Sequence, residues 1–283
     1  MRRPGTRLSV RASTGSLQVA WLLLPAAVLF CTFFLLPLAR LALIGGSGPL
    51  GWKAYTEALT NARYLDSLLA TLLLAAITTI VTLIAATISG VFLSRHQFYG
   101  RGLVISMLTL PLAFPGVVIG FLVIMLAGRQ GLVPTLTDAL FGDRWVFAYS
   151  MTGLFVGYLY FSIPRTILTI MASAEKLDPR LEEAARTLGA GPLRIAIDVI
   201  VPALRPALFA AGAICFATAM GAFGTAFTLA TRINVLPMVI YTEFTLQANI
   251  AMAAALSFVL GAITWVALAL ARTASGTNVA AAG

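Results

Sequence analysis

Six uncharged, strongly apolar runs punctuate this chain: Val19–Ala39, Ser67–Ser94, Gly102–Gly128, Trp145–Pro164, Pro206–Thr231 and Phe244–Ala271. Each reaches about 20 residues or more, the length at which a helix crosses the hydrocarbon of a bilayer. The pattern predicts six transmembrane helices within residues 17–273, an all-α integral membrane fold, with short tails at 1–16 and 274–283. The fourth run is expected to continue past Arg165 to about Ser173. The first follows Arg2, Arg3, Arg7 and Arg11, as a signal peptide would, but it outruns an h-region and no A-x-A site ends it. It is read as an uncleaved anchor.

Breakers interrupt these runs at definite places. Pro111 and Pro115 fall inside the third, in LPLAFPGVVIG, where each removes a backbone donor and bends the helix. The freed carbonyls need a neighbouring helix or a water-lined cavity, so the kink is either purely structural or sits beside a pathway. Gly212, Gly221, Gly224 and Gly261 are candidates for close helix approach.

Of the 283 residues, 60% are hydrophobic and 10% charged, against about 25% charged in soluble domains. The net charge of +9 does not point to nucleic acid, because Lys and Arg fall mostly in short segments between apolar runs. That arrangement sets membrane orientation. With a cytoplasmic N-terminus, the inner segments hold Arg2, Arg3, Arg7, Arg11, Arg95, Arg101, Lys176, Arg180, Arg186, Arg194, Arg205 and Arg272. The outer segments hold Arg40, Lys53, Arg63, Arg129, Arg144 and Arg232. The two-to-one bias predicts both termini and segment 175–205 on the cytoplasmic side.

That segment is the one long polar insert. Asp178-Pro179 supplies an N-cap and a first-turn proline. Leu181, Ala184, Ala185 and Leu188 recur at helical spacing as one small apolar face, with Glu182, Glu183 and Arg186 off it. Gly189 stops the helix and Gly191-Pro192 turns the chain; a second short helix is expected to end before Pro202, where the fifth crossing begins. A narrow Ala/Leu knob ringed by charge suits a groove on a soluble partner better than a lipid surface. An ordinary interfacial connector is the competing reading.

The segment resembles the EAA loop of bacterial ABC-importer permeases. That pattern runs E-A-A, three residues, G, nine residues, I-x-L-P; here stand Glu183-Ala184-Ala185, Gly189 and Val199-x-Val201-Pro202, with Val for Ile and Leu. Tyr55 to Thr71 and LPLAFPGVVIG are also similar to binding-protein-dependent permeases, above all those of polyamine and iron(III) importers. The resemblance implies a type I importer permease fold in a bacterial inner membrane. Residues 175–205 would form its cytoplasmic coupling loop, with Glu183, Ala184, Ala185, Leu188 and Gly189 docking on an ATPase. It also implies a second permease, alike or different, and a periplasmic or lipid-anchored binding protein. ATP and Mg²⁺ would sit on the ATPase subunits, with no cofactor on this chain.

What the chain lacks fits that division of labour. It has no G-x-x-x-x-G-K-[ST] to cradle phosphates, no carboxylate pair or Ser-His arrangement, and one histidine, His96, in a basic loop. No enzymatic activity is expected. Arg165, after Pro164, is the one charge inside an apolar span, and so a functional candidate. It either snorkels to lipid phosphates or faces the translocation pathway or a partner. Facing the pathway, it would suit an anion such as a phosphonate or sulfate, or an iron chelate, better than a polyamine. Phe223, within Met220-Gly-Ala-Phe-Gly224-Thr225, is a candidate gate or a packed aromatic. Glu243 either greets a binding protein or sits at the interface. An ion-gradient-driven secondary transporter is the alternative, but the apolar runs hold neither an evident repeat nor an intramembrane carboxylate. A membrane enzyme or assembly factor is a third class, and no catalytic constellation supports it.

Overall fold

The computed structural model describes residues 15–229 and 233–275, and among these there is no strand. The first crossing is α1 (Gly15–Phe30), a π-helical turn at Cys31–Leu35 and α2 (Leu36–Gly45). Short α3 (Lys53–Thr60) leads to the second, α4 (Ala62–Arg95). The third is split into α5 (Arg101–Thr109), a 3-10 turn at Leu110–Ala113, and α6 (Gly116–Ala127). After α7 (Leu132–Phe141) comes the fourth, α8 (Met151–Ala174), then the short α9 (Arg180–Thr187). The fifth joins α10 (Pro192–Ile195), a π turn at Ala196–Ile200 and α11 (Val201–Met220). Two short helices, α12 (Phe223–Leu229) and α13 (Leu236–Thr245), precede the sixth, α14 (Ile250–Ser275).

Six crossings agree with the apolar pattern, but several boundaries move. Six helical stretches among the described residues are apolar and long enough to span a membrane, one of them Gly116–Phe141. That stretch is interrupted where Gly128 and Gly131 are extended (ψ 176° and 172°), so we assign the third crossing to α5–α6. The first crossing runs on to Gly45 and contains Arg40, the fourth starts at Met151, and the sixth starts at Ile250 with Phe244 in α13. The largest correction is the fifth: it begins at Pro192, inside the polar insert, and ends at Met220. Of the expected tails, residues 1–14 and 276–283 lie outside the described residues, as does Arg232.

Pro202 does not end a helix because a π turn precedes it. The Val201 N–H bonds back to the Ala196 carbonyl, five residues away rather than four. That wider turn makes room for a proline ring and absorbs its missing donor. The first crossing repeats the device before Pro37, with Leu36 N–H on the Cys31 carbonyl.

At the centre, α4 packs along α8, joined by α11. A Cβ on Gly90 would stand 3.1 Å from the Ile167 carbonyl oxygen, so any larger residue would press the two helices apart by a few tenths of an ångström. Leu74, Ala75, Val123, Leu154, Tyr158, Ala219, Met220 and Leu229 form a shared core from α4, α6, α8, α11 and α12. The first crossing is peripheral, and α2 buries Gly45 alone; its anchor is α14, helped by Tyr55 Oη donating to the Ala42 carbonyl at 2.6 Å. Burial pushes the Tyr55 phenol above its ordinary pKa, which keeps it a donor.

Ion pairs mark the two ends of the bundle. On one side Arg95 lies 2.7 Å from Glu182 and Arg101 3.0 Å from Glu175, which brings α9 beside the α4–α5 turn. On the other side Arg63 reaches Glu243 at 3.2 Å, and the Phe147 and Ala148 N–H groups both donate to the Ala127 carbonyl.

Candidate functional site

Two features have the geometry of a working part: the short helix α9 and a cavity between the broken third crossing and the break that parts α11 from α12. In α9, Asp178 Oδ1 accepts the Arg180 N–H at 3.0 Å, while Glu182 and Glu183 occupy the first turn, where the helix dipole favours acids. Gly189 ends the helix at φ +83°. The Ala190 N–H returns to the Ala185 carbonyl at 3.1 Å, the six-to-one closure of a Schellman cap. Nothing lies within 4 Å of a Cβ on Gly189, so the glycine serves the turn rather than close packing.

The sequence-derived apolar stripe divides in space. Leu181, Ala184 and Leu188 face outward, with Leu188 88% exposed. Ala185 sits at the edge of the stripe and packs inward beside Leu177, Ile195 and Leu204. Glu182 also faces the bundle, as an ion pair with Arg95 outside hydrogen-bonding geometry. Glu183 stands exposed, and its carboxylate has no partner among the described residues. The free face of α9 therefore presents Leu181, Glu183, Ala184 and Leu188.

The two interrupted crossings meet at mid-chain. Phe114 and Pro115 are extended, and α6 begins at Gly116; Gly221 and Ala222 separate α11 from α12. Thr225 Oγ1 donates to the Gly116 carbonyl at 3.0 Å, Thr228 Oγ1 to the Val117 carbonyl at 3.2 Å, and Tyr158 Oη to the Ala222 carbonyl at 2.8 Å. These hydroxyls tie α12 to the first turn of α6, and α8 to the break between α11 and α12. Gly224 faces the Val117 N–H closely enough that a Cβ would stand 3.1 Å from it.

Beside this junction lies a cavity of about 410 Å³, lined in part by Pro111, Phe114, Gly116, Val117, Phe161, Arg165, Thr218 and Thr225. The structure therefore joins two expected pathway residues, Pro111 and Arg165. Pro115 caps α6 without lining the cavity. Phe223 lies elsewhere: it stacks with Phe227 and Tyr241 at centroid distances of 5.3 Å each and lines a separate cavity of about 350 Å³. The sequence reading missed Ser162, Thr218 and Thr225. Ser162 was findable, one helical turn before Arg165. Of the expected close-approach glycines, Gly224 serves that role, whereas Gly261 faces open space.

Glu243 departs from both of its expected roles. It is fully buried, accepts hydrogen bonds from Arg63 Nη1 at 3.2 Å and Tyr64 Oη at 3.1 Å, and ties α13 to the start of α4. With the Gln247 amide turned, that side chain donates at 3.0 Å as well. Arg63→Ala strands this carboxylate. The expected loss is about 1–3 kcal/mol, below the range for fully buried pairs because the Arg63 side chain is 51% exposed. Adding Glu243→Gln should recover part of the thermal-denaturation midpoint; equal losses in the single and double variants would contradict this account.

Relatives agree with this geometry. Residues 86–275 match the family described as binding-protein-dependent transport system inner membrane component. A Salmonella typhimurium protein with the provisional name 2-aminoethylphosphonate transport system permease protein PhnU is 30% identical over 265 residues, 89% of this chain and 92% of its own. The Escherichia coli sulfate transport system permease protein CysT is 31% identical over 209 residues, 72% of each chain. The fold matches a bacterial alginate ABC transporter, crystallised in complex with an alginate pentasaccharide-bound periplasmic protein, at a TM-score of 0.75 and 17% identity, over 92% of this chain and 96% of that one. From six crossings, one short charged helix between the fourth and fifth, and this extent of likeness, the chain belongs to the binding-protein-dependent inner membrane components, the permeases of ABC importers.

Proposed function

We propose that this permease is driven by a separate ATPase that grips α9, and that it imports a small oxyanion. The single observation that carries the coupling is the free face of α9: Leu181, Glu183, Ala184 and Leu188 are exposed, while Glu182 and Ala185 fasten the helix to the bundle. A helix fixed on one face and bare on the other transmits a push. Small Ala184 lets an ATPase cleft close around it, Glu183 pairs with a base there, and Gly189 allows the return of the chain.

Orientation follows from charge. The side that carries α9 also holds Arg95, Arg101, Lys176, Arg180, Arg186 and Arg194, and the far side holds Lys53, Arg63, Arg129 and Arg144 among the described residues. The positive-inside rule puts α9, and with it both termini, in the cytoplasm. Phosphoanhydride hydrolysis takes place on the ATPase, which carries ATP and Mg²⁺. The cavity beside Arg165 opens on the surface of this chain, so a second permease, a copy or a paralogue, closes it. A binding protein delivers substrate from the far side. The names of the PhnU and CysT relatives and the unpaired cation at Arg165 favour a phosphonate or sulfate over a polyamine.

Affinity capture of the full chain from its own membrane in mild detergent tests the reading. A P-loop ATPase subunit should copurify in comparable amount. A chain that captures no ATPase, yet accumulates solute on an ion gradient, would be a secondary transporter instead.

A further inference from the structure

We infer that Arg95 and Arg101, at the turn between α4 and α5, carry the movement of α9 into the broken third crossing. This deepens the permease reading above and rests on it. The chain joins α9 to the fourth and fifth crossings, but not to the third. The backbone of α9 packs against α10 and the π turn at Ala196–Ile200, so it meets the α4–α5 turn through side chains. Among the described residues, Glu182 makes the one ion pair from α9 to another helix, 2.7 Å from Arg95 in the last turn of α4. The two side chains are only 15% and 18% exposed.

Arg101 continues the route. It is the first residue of α5 and follows Gly100, which turns the chain at φ +88°. Its Nε donates to the Leu93 carbonyl near the end of α4 at 2.9 Å, and its Nη2 to Glu175, just past the end of α8, at 3.0 Å. Ends of α4, α5, α8 and α9 therefore meet on two neighbouring guanidinium groups. Farther along α5, Leu108 packs on the cluster of Ala86, Leu93 and Ile167. The helix then tightens into the 3-10 turn at Leu110–Ala113, where Pro111 and Leu112 line the 410 Å³ cavity. So α5 is a short lever between the arginine junction and the break. The junction also has the character of a moving part. Arg95 Nε and Glu182 Oε1 are buried without a hydrogen-bond partner. Charges taken from water with their hydrogen bonds incomplete return less than they cost. Such a contact is a poor source of stability, and it suits a joint remade in a second arrangement of the helices.

The test uses the full chain with its copurifying ATPase in nanodiscs, in a Cys31→Ala, Cys215→Ala background carrying Leu112→Cys at the break. The rate of maleimide labelling is compared without nucleotide and after trapping with ATP and vanadate, so no transported solute is needed. In the background the two rates should differ by about fivefold or more, the low end of coupling between two sites. Arg95→Glu and Arg101→Gln should each reduce that ratio at least about twofold, with the nucleotide-free rate and the amount of bound ATPase unchanged. A merely structural contact would shift the nucleotide-free rate or the bound ATPase instead. Arg95→Glu combined with Glu182→Arg should restore the response. Should Arg95→Glu fail to fold, Arg95→Gln and Arg101→Gln still decide. The inference is overturned if these variants respond to ATP as the background does, if the combined variant folds and stays unresponsive, or if the background labels equally with and without ATP while the ATPase is bound. Absence of an ATPase from the background would sink the coupling reading and this inference with it; a bound ATPase with an unchanged ratio sinks this inference alone.

Discussion

Glu183→Lys is expected to cut ATP-driven uptake about thirtyfold or more while leaving the amount of permease in the membrane unchanged. The carboxylate has no partner among the described residues, so folding has little stake in it. The proposed docking has: reversing one member of an interfacial charge pair costs about 2–5 kcal/mol, and each 1.4 kcal/mol is a factor of about ten. Uptake into proteoliposomes and copurification of the ATPase should fall together. Glu182→Lys provides the contrast, because it breaks the pair with Arg95 and loosens α9 from its own bundle. Normal uptake by the Glu183→Lys permease would remove that residue from the docking face.

Gly120→Val is expected to be strongly damaging inside the membrane. A Cβ at this position of α6 would stand 2.5 Å from the Thr228 Cβ of α12. The obstructing atom is the root of a side chain and cannot swing aside, so the helices must separate. Overpacking a tight core costs about 1–3 kcal/mol. Separation would also strain the Thr225 and Thr228 bonds that tie α12 to α6. The folded, monodisperse fraction after solubilisation should fall about fivefold or more. Gly261→Val is the control, since nothing lies within 4 Å of a Cβ there, and it should behave as wild type. Equal loss from both substitutions would point to a general intolerance of β-branching in these helices rather than to the α6–α12 contact.

Two helix breaks give these effects a common setting. Pro111 and Pro115 split the third crossing, and Gly221-Ala222 part the fifth from α12. The broken ends face each other and are tied by side-chain hydroxyls. A break in lipid is tolerated where a neighbour or a cavity satisfies the backbone. Both are present, and Arg165 lines the cavity. The kink at LPLAFPGVVIG has a structural role: it makes the α6 start, and Pro111 bounds the hollow.

By itself the sequence settled six crossings, a bend in the third at Pro111 and Pro115, the short helix at 180–187 with its Asp178 cap and Gly189 stop, and the candidacy of Arg165. These are one-dimensional properties, because apolar length, proline chemistry and capping depend on residues a few positions apart. It misplaced the start of the fifth crossing because Pro202 and Arg205 look like a boundary, and only the π turn at Ala196–Ile200 lets the helix pass. The tertiary structure alone buried Glu243 against Arg63 and Tyr64, some 180 residues away. It also turned Ala185 inward, set Phe223 in a separate aromatic cluster, and left Arg165 between two hollows, one lined by Ser162 and the other by the α6 start. Such placements depend on which helices touch, and in a chain apolar on nearly every face, hydrophobic periodicity carries almost no signal about which face meets which neighbour.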